Sequence, residues 1–123
     1  MISASFIVDT LELDEEFHRL DERIIQAAKA TTGYIGEEAW QDPKSGRVCT
    51  VYYWESREGL FELMGNPDHR HAREGSPRWL QGYQVVVSEI VASYGTNNYP
   101  HPLVGRNFGR SELSATSGKG DTE

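Results

Sequence analysis

Hydrophobic positions along the chain switch between a period of two and a period near 3.6, and the switches delimit its elements. In ISASFIV, residues 2–8, Ile2, Ala4, Phe6 and Val8 alternate with Ser3, Ser5 and Ile7, which predicts a first strand. Phe17, Leu20, Ile24 and Ala28 then recur at three- and four-residue steps, the mark of an amphipathic helix over about 14–30. Asp14 is placed to cap that helix, Glu15 and Glu16 suit its positive end, and Lys29 suits its negative end. Gly33 fits a left-handed stop at C′. Residues 34–41 and 47–54 read as two strands joined by the turn Asp42–Gly46. The second strand is apolar on both faces, with Val48, Tyr52 and Trp54 on one and Cys49, Val51 and Tyr53 on the other. Such a strand needs cover on both sides.

A second helical region is broken by its own signals. Ser56 caps a helix carrying Leu60, Leu63 and Met64, which Gly65 and Asn66 interrupt. Asn66-Pro67 restarts it, with Asn as cap and Pro at the first helical position. This short helix is expected to end at Gly75. Ser76-Pro77 then starts one more turn carrying Trp79 and Leu80, and Gly82 ends it. The last strand is YQVVVSEIVA, residues 83–92. The resulting order is βαββαβ, a ferredoxin-like α+β fold with a four-stranded antiparallel sheet and both helical layers on one face. The bare face predicts a second copy of the chain packed sheet to sheet, leaving a small internal cavity where Gly36, Ser3 or Ser5, and Ser88 fall. Residues 1–93 are expected to form the domain, 94–110 an extended arm and 111–123 a disordered tail.

Composition narrows the function classes. The chain has 123 residues, the size of one domain. Its 12 Lys and Arg against 19 Asp and Glu give a net charge of -7, with no basic cluster, so a nucleic-acid partner is not expected. No apolar run is long enough to span a membrane, and no leader pattern is visible. Cys49 is the single cysteine, which excludes an intrachain disulfide and suits a reducing, cytoplasmic setting. There is no zinc signature, nucleotide loop or Ser-His-Asp order, and no metal site is expected.

The candidate chemistry rests on a few side chains. Trp54 lies at a strand-to-helix junction, either as core packing or as one wall of a pocket that stacks on a flat ligand. His69 sits at the third position of its helix and is a candidate acid, base or haem ligand, or else a partly exposed histidine bonded to a loop. Arg73 shares its face, and Arg70 and Arg73 either hold an anion or lie on a solvated face. Glu37 and Glu38 alternate within one strand, so one of them faces the buried side. There its pKa would rise and it could shuttle a proton, unless the strand is an edge with both acids wet. His101 lies between two prolines in the arm and reads as structural or idle.

The segment VYYWESREGLFELMGNPDHRHAREGSPRWLQGYQVVVSEI resembles the antibiotic biosynthesis monooxygenase family of the dimeric α+β barrel superfamily. Tyr53-Trp54-Glu55-Ser56, Asn66-Pro67 with His69 and Ala72, and Trp79-Leu80-Gln81-Gly82-Tyr83 carry the likeness, which covers about residues 2–92. It implies a homodimer with a pocket between each sheet and its helices, binding a small aromatic or apolar molecule. It also implies cofactor-independent oxygenation of an aromatic or quinol-type substrate, deprotonated by His69, Glu37 or Glu38. Trp54, Tyr52, Arg70, Arg73, Trp79 and Tyr83 would line the pocket. A non-catalytic ligand-binding dimer is the alternative. The haem-binding, haem-degrading branch is another, and this chain departs from it at Glu74 and at Ser3-Ala4-Ser5.

Overall fold

The structure, a computed structural model, describes residues 1–117. Its elements are β1 (Ile2–Thr10), α1 (Glu15–Lys29), β2 (Tyr34–Gln41), β3 (Val48–Trp54), α2 (Arg57–Met64), α3 (Pro67–Trp79), β4 (Leu80–Glu89) and α4 (Arg110–Ser117). The four strands form one antiparallel sheet in the order β2-β3-β1-β4. The predicted βαββαβ core is therefore present, with β2 and β4 as edges. Pairing of Ile2 with Trp54 and of Ala4 with Tyr52 puts the larger side chains of β3 on the same face as the buried residues of β1. Helices α1 to α3 cover that face, and Ile2, Ala4, Ala28, Trp54, Leu60 and Leu63 make its core.

Local signals act as the sequence suggests at two helix starts. The Asp14 carboxylate accepts the Phe17 N–H at 2.9 Å and also the Trp79 indole N–H at 3.0 Å, tying the start of α1 to the end of α3. Asn66 accepts the N–H groups of Asp68 and His69 at 2.8 and 3.2 Å. Ser56 holds the N-cap position of α2 without a capping bond from its side chain.

Other expectations need correction. Gly33 is left-handed (φ 72°) but lies beyond the C-cap Ala30, in the turn into β2, where its carbonyl accepts the Glu55 N–H. The second helix does not stop at Gly75. It runs unbroken through Pro77 to Trp79. Gly75 is small because the Trp79 ring covers it, and an added Cβ would lie 2.9 Å from the indole Cζ3. A proline inside a helix costs about 3 kcal/mol, and burying an indole returns roughly 4–6 kcal/mol. Trp79 is 1% exposed, so the continuous helix prevails. Gly82 lies within β4 rather than before it, next to a bulge opposite Asp9 and Thr10.

The other face of the sheet carries Ser3, Ser5, Cys49, Val51 and Tyr53. Part of it is covered by the chain itself. Ser93 and Phe108 pair through two backbone hydrogen bonds and close the intervening segment into a loop. Pro102 sits on Gly36, at 3.0 Å from where a Cβ would be, and Leu103 is buried. The space expected at Gly36 between two sheets is thus filled by the arm. Residues 111–117, expected to lack structure, continue α4, and 118–123 lie outside the described residues.

Candidate functional site

A cavity of about 360 Å³ lies between the sheet and α1, α2 and α3. It forms because Ala4 and Ala72, on facing layers, are too small to fill the space that Phe6, Phe17, Leu20 and Ile24 surround. Tyr52 and Trp54 make one aromatic wall, stacked with centroids 5.8 Å apart and planes at 23°. Trp54 is fully buried, and its indole N–H donates to Thr31 Oγ1 at 2.8 Å. It is core and cavity wall at once, so the two readings of this residue do not exclude each other. Trp79 forms a second wall, fixed by Asp14 and by the edge of Phe17. Tyr83 stands on β4, half-exposed and edge-on to Phe6 at 5.9 Å.

Among the polar groups that interrupt this apolar lining, His69, Arg73, Asp21 and Tyr52 carry the ionisable chemistry. Residues His69 and Arg73, one helical turn apart on α3, both line the cavity. The His69 Nδ1 is buried and has no hydrogen-bond partner among the described residues. Burial, and then the Arg73 charge, hold the imidazole pKa below its usual value, so the ring is neutral at neutral pH. Arg73 makes no ion pair among the described residues, whereas Arg19, Arg23, Arg47, Arg57, Arg78 and Arg106 each meet a carboxylate. Asp21, on α1, is the cavity's carboxylate. Partial burial raises its pKa, with Glu37 adding to the rise and His18 opposing it. The Tyr52 phenol is raised by burial first and then by the charges of Glu37 and Asp21, so it remains an O–H donor.

Sequence reasoning missed Asp21. The signal was present: Phe17, Asp21, Ile24 and Ala28 follow the same four- and three-residue steps, which puts an acid at the border of the inward stripe of α1.

The two glutamates do not share this site. Glu37 faces the helical layer but accepts a hydrogen bond from the Tyr34 hydroxyl at 2.8 Å and does not line the cavity. Glu38 is on the opposite face, where it accepts from Tyr53 and meets His101 Nε2 at 2.7 Å. Its pKa falls rather than rises. Burial pushes it up, but hydrogen bonds from Tyr53 and His101 and the His101 charge outweigh that effect. The reason is strand alternation: adjacent residues of β2 take opposite faces. His101 is not idle, because it anchors the arm to Glu38 and accepts the Leu103 N–H on Nδ1. Arg70 is exposed and does not reach the cavity.

No group of three or more His, Cys, Asp or Glu among the described residues could hold a metal. Haem carries two carboxylates, and the cavity offers them one guanidinium opposed by Asp21, so these residues do not match that group. No helix among the described residues is long and apolar enough to cross a membrane.

Comparison with known proteins agrees on the fold. No family model matches the chain. The uncharacterized protein YqjZ of Bacillus subtilis (strain 168) is 29% identical over 80 residues, which span 64% of this chain and 69% of that protein. Among solved structures, Rv0793 from Mycobacterium tuberculosis superposes with a TM-score of 0.64 at 16% identity, covering 76% of this chain and 98% of that one. SnoaB, a cofactor-independent oxygenase from Streptomyces nogalater, gives 0.59 at 8% identity, with 80% and 97% covered. A candidate antibiotic biosynthesis monooxygenase from Deinococcus radiodurans gives 0.63 at 12% identity, with 78% and 98% covered. The chain has the fold of these proteins at low sequence identity.

Proposed function

We propose that the protein is a cofactor-independent monooxygenase acting on a small aromatic or quinol-type molecule bound in the cavity between sheet and helices. The observation that carries this reading is a neutral imidazole with an unpartnered, buried Nδ1, set in an apolar aromatic cavity. A base that is neutral at working pH and not already hydrogen-bonded is ready to take a proton. The stacked pair Tyr52 and Trp54 suits a flat ring on one side, and Trp79 and Tyr83 enclose it elsewhere. The fold shared with SnoaB supports the same reaction class.

His69 would remove a proton from the activated C–H or phenol of the substrate. The resulting anion passes one electron to O₂, and the two radicals join as a carbon-bound peroxide anion, which takes the proton back from His69 to become a hydroperoxide. Loss of water leaves a carbonyl, so that CH₂ + O₂ gives C=O + H₂O, and the proton returned by His69 leaves with the water. Tyr52 and Arg73 would stabilise the anionic oxygen of the intermediate. The apolar lining keeps water from the anion.

We also propose a homodimer. Strand β4 is an edge, and Val85, Val86 and Val87 are 44%, 43% and 52% exposed. An uncovered apolar edge invites pairing.

The test is O₂ uptake with a panel of anthrones and hydroquinones, corrected for spontaneous oxidation. Turnover that falls about 10²–10⁴-fold in His69→Ala is expected. Saturable binding with no O₂ uptake by any member would make the protein a ligand-binding module instead.

A further inference from the structure

Among the described residues, the buried His69 Nδ1 has no hydrogen-bond partner, and Arg73 and Asp21, exposed residues that also line the cavity, make no ion pair. Asp21 and Arg73 both line the cavity, and no ion pair joins them. Neighbouring pairs on the same two helices do close, as Arg23 with Asp68 at 3.2 Å and Arg78 with Glu16 at 3.1 Å. The α1–α3 contact thus pairs Arg23 with Asp68 and Arg78 with Glu16, and leaves Asp21 and Arg73 unpaired beside the cavity.

From this arrangement we infer that the ligand is an aromatic acid, whose carboxylate is held by Arg73 and whose hydroxyl is directed to Asp21 or His69. The inference rests on the cavity being the ligand site. A guanidinium matches a carboxylate with two parallel N–H···O bonds, and a planar aryl acid presents that carboxylate in the plane of its ring. A phosphate is a worse match. The one guanidinium can pair with a single carboxylate, and Asp21 adds repulsion against a second negative charge. The apolar walls take the ring. The Asp21 carboxylate would repel a second acid and accept from a hydroxyl. Specificity is then for a hydroxylated aromatic monoacid over the same ring without the acid group.

The pair 1-hydroxy-2-naphthoate and 1-naphthol tests this, since the two differ only in the carboxylate. Binding is measured by titration calorimetry at neutral pH on the full chain, without O₂ turnover as a readout. Charge-assisted hydrogen bonds of this kind correspond to about 10- to 100-fold in affinity. The wild type is expected to prefer the naphthoate by that factor. Arg73→Gln should cost the naphthoate more than it costs 1-naphthol and so remove the preference, Arg73→Lys should keep part of it, and Arg70→Gln should change neither ligand. Added salt should weaken only the naphthoate. Equal affinity for the two probes in the wild type, a preference that survives Arg73→Gln, or binding of neither probe would each overturn the inference. An Arg73-dependent preference without oxygenation of any substrate would sustain it while removing the monooxygenase reading. Oxygenation of neutral phenols with no acid preference would do the reverse.

Discussion

Gly59 is the position where one methyl group should do the most damage for its size. It is the third residue of α2 and is buried against Trp54. A Cβ there would fall 2.3 Å from the Thr32 carbonyl oxygen and 2.3 Å from Trp54 Cδ1, with the indole nitrogen at 2.6 Å. Ordinary contact needs more than an ångström beyond that. Two effects oppose each other in Gly59→Ala. Alanine gains about 1 kcal/mol in helix propensity over glycine. Overpacking costs about 1–3 kcal/mol. One neighbour here is backbone and the other is an indole held by Thr31, so the upper part of that range applies and the Trp54–Thr31 bond is put at risk, which adds about 1 kcal/mol. The net is a loss of roughly 2–3 kcal/mol, or about 10 °C in melting temperature for a chain of this size. Urea unfolding followed by tryptophan fluorescence and circular dichroism measures it. Gly65→Ala is the control. Its φ is -86° and its nearest neighbour would be 3.6 Å away, so stability should stay within about 0.5 kcal/mol of wild type. Since the indole is also a cavity wall, Gly59→Ala should weaken ligand binding as well. A Gly59→Ala variant as stable as the wild type, or more so, would refute the packing argument, because helix propensity would then have prevailed.

Further outcomes follow from the titrating groups and the walls. His69 has a folded pKa below the usual 6.5, so the unfolded chain binds its proton more readily. Its contribution to stability is full above pH 6.5 and is lost as the pH falls from there toward the folded pKa. Chemical denaturation between pH 5 and 8 should therefore show a steeper acid decline in wild type than in His69→Gln. Glu38 has a folded pKa below its ordinary 4.5, so its contribution is present above that value and lost as pH falls through the lower one. Glu38→Gln should flatten the stability profile below about pH 4.5, and His101→Ala should raise proteolysis of the 93–108 loop at neutral pH. Trp54→Phe keeps an aromatic wall but loses the bond to Thr31, so a melting temperature lower by a few degrees with ligand binding largely retained is expected. Sedimentation equilibrium at micromolar concentration should return twice 13.9 kDa, and a stable monomer there would remove the dimer.

Much of the fold is legible residue by residue because its determinants are local. Alternation in residues 2–8, the stripe Phe17, Leu20, Ile24 and Ala28, the Asp14 cap and the Asn66-Pro67 restart each act over a few residues, and each appears in place. The candidate site was legible in part for the same reason. Trp54, Tyr52 and Trp79 are large apolar groups at element ends, and His69 and Arg73 share a helical face by spacing alone.

What tertiary packing decided are the matters of side and neighbour. Alternation says that Glu37 and Glu38 face opposite ways, but only the helices settle which face becomes the cavity side, and a bulge between Tyr34 and Gly36 resets the register before them. The stop at Gly75 and Pro77 is a sound local rule that lost to the burial of Trp79, an energy that exists only once Asp14 and Phe17 are beside it. Asp21 becomes a cavity acid only once α1 is laid over the sheet and α3 beside it. His101 becomes an anchor because a loop closed by Ser93 and Phe108 lays it against Glu38, 63 positions away in the chain. Local hydrogen bonds and periodicity are written in neighbouring residues, whereas desolvation and contact between distant segments come into being only when the layers close.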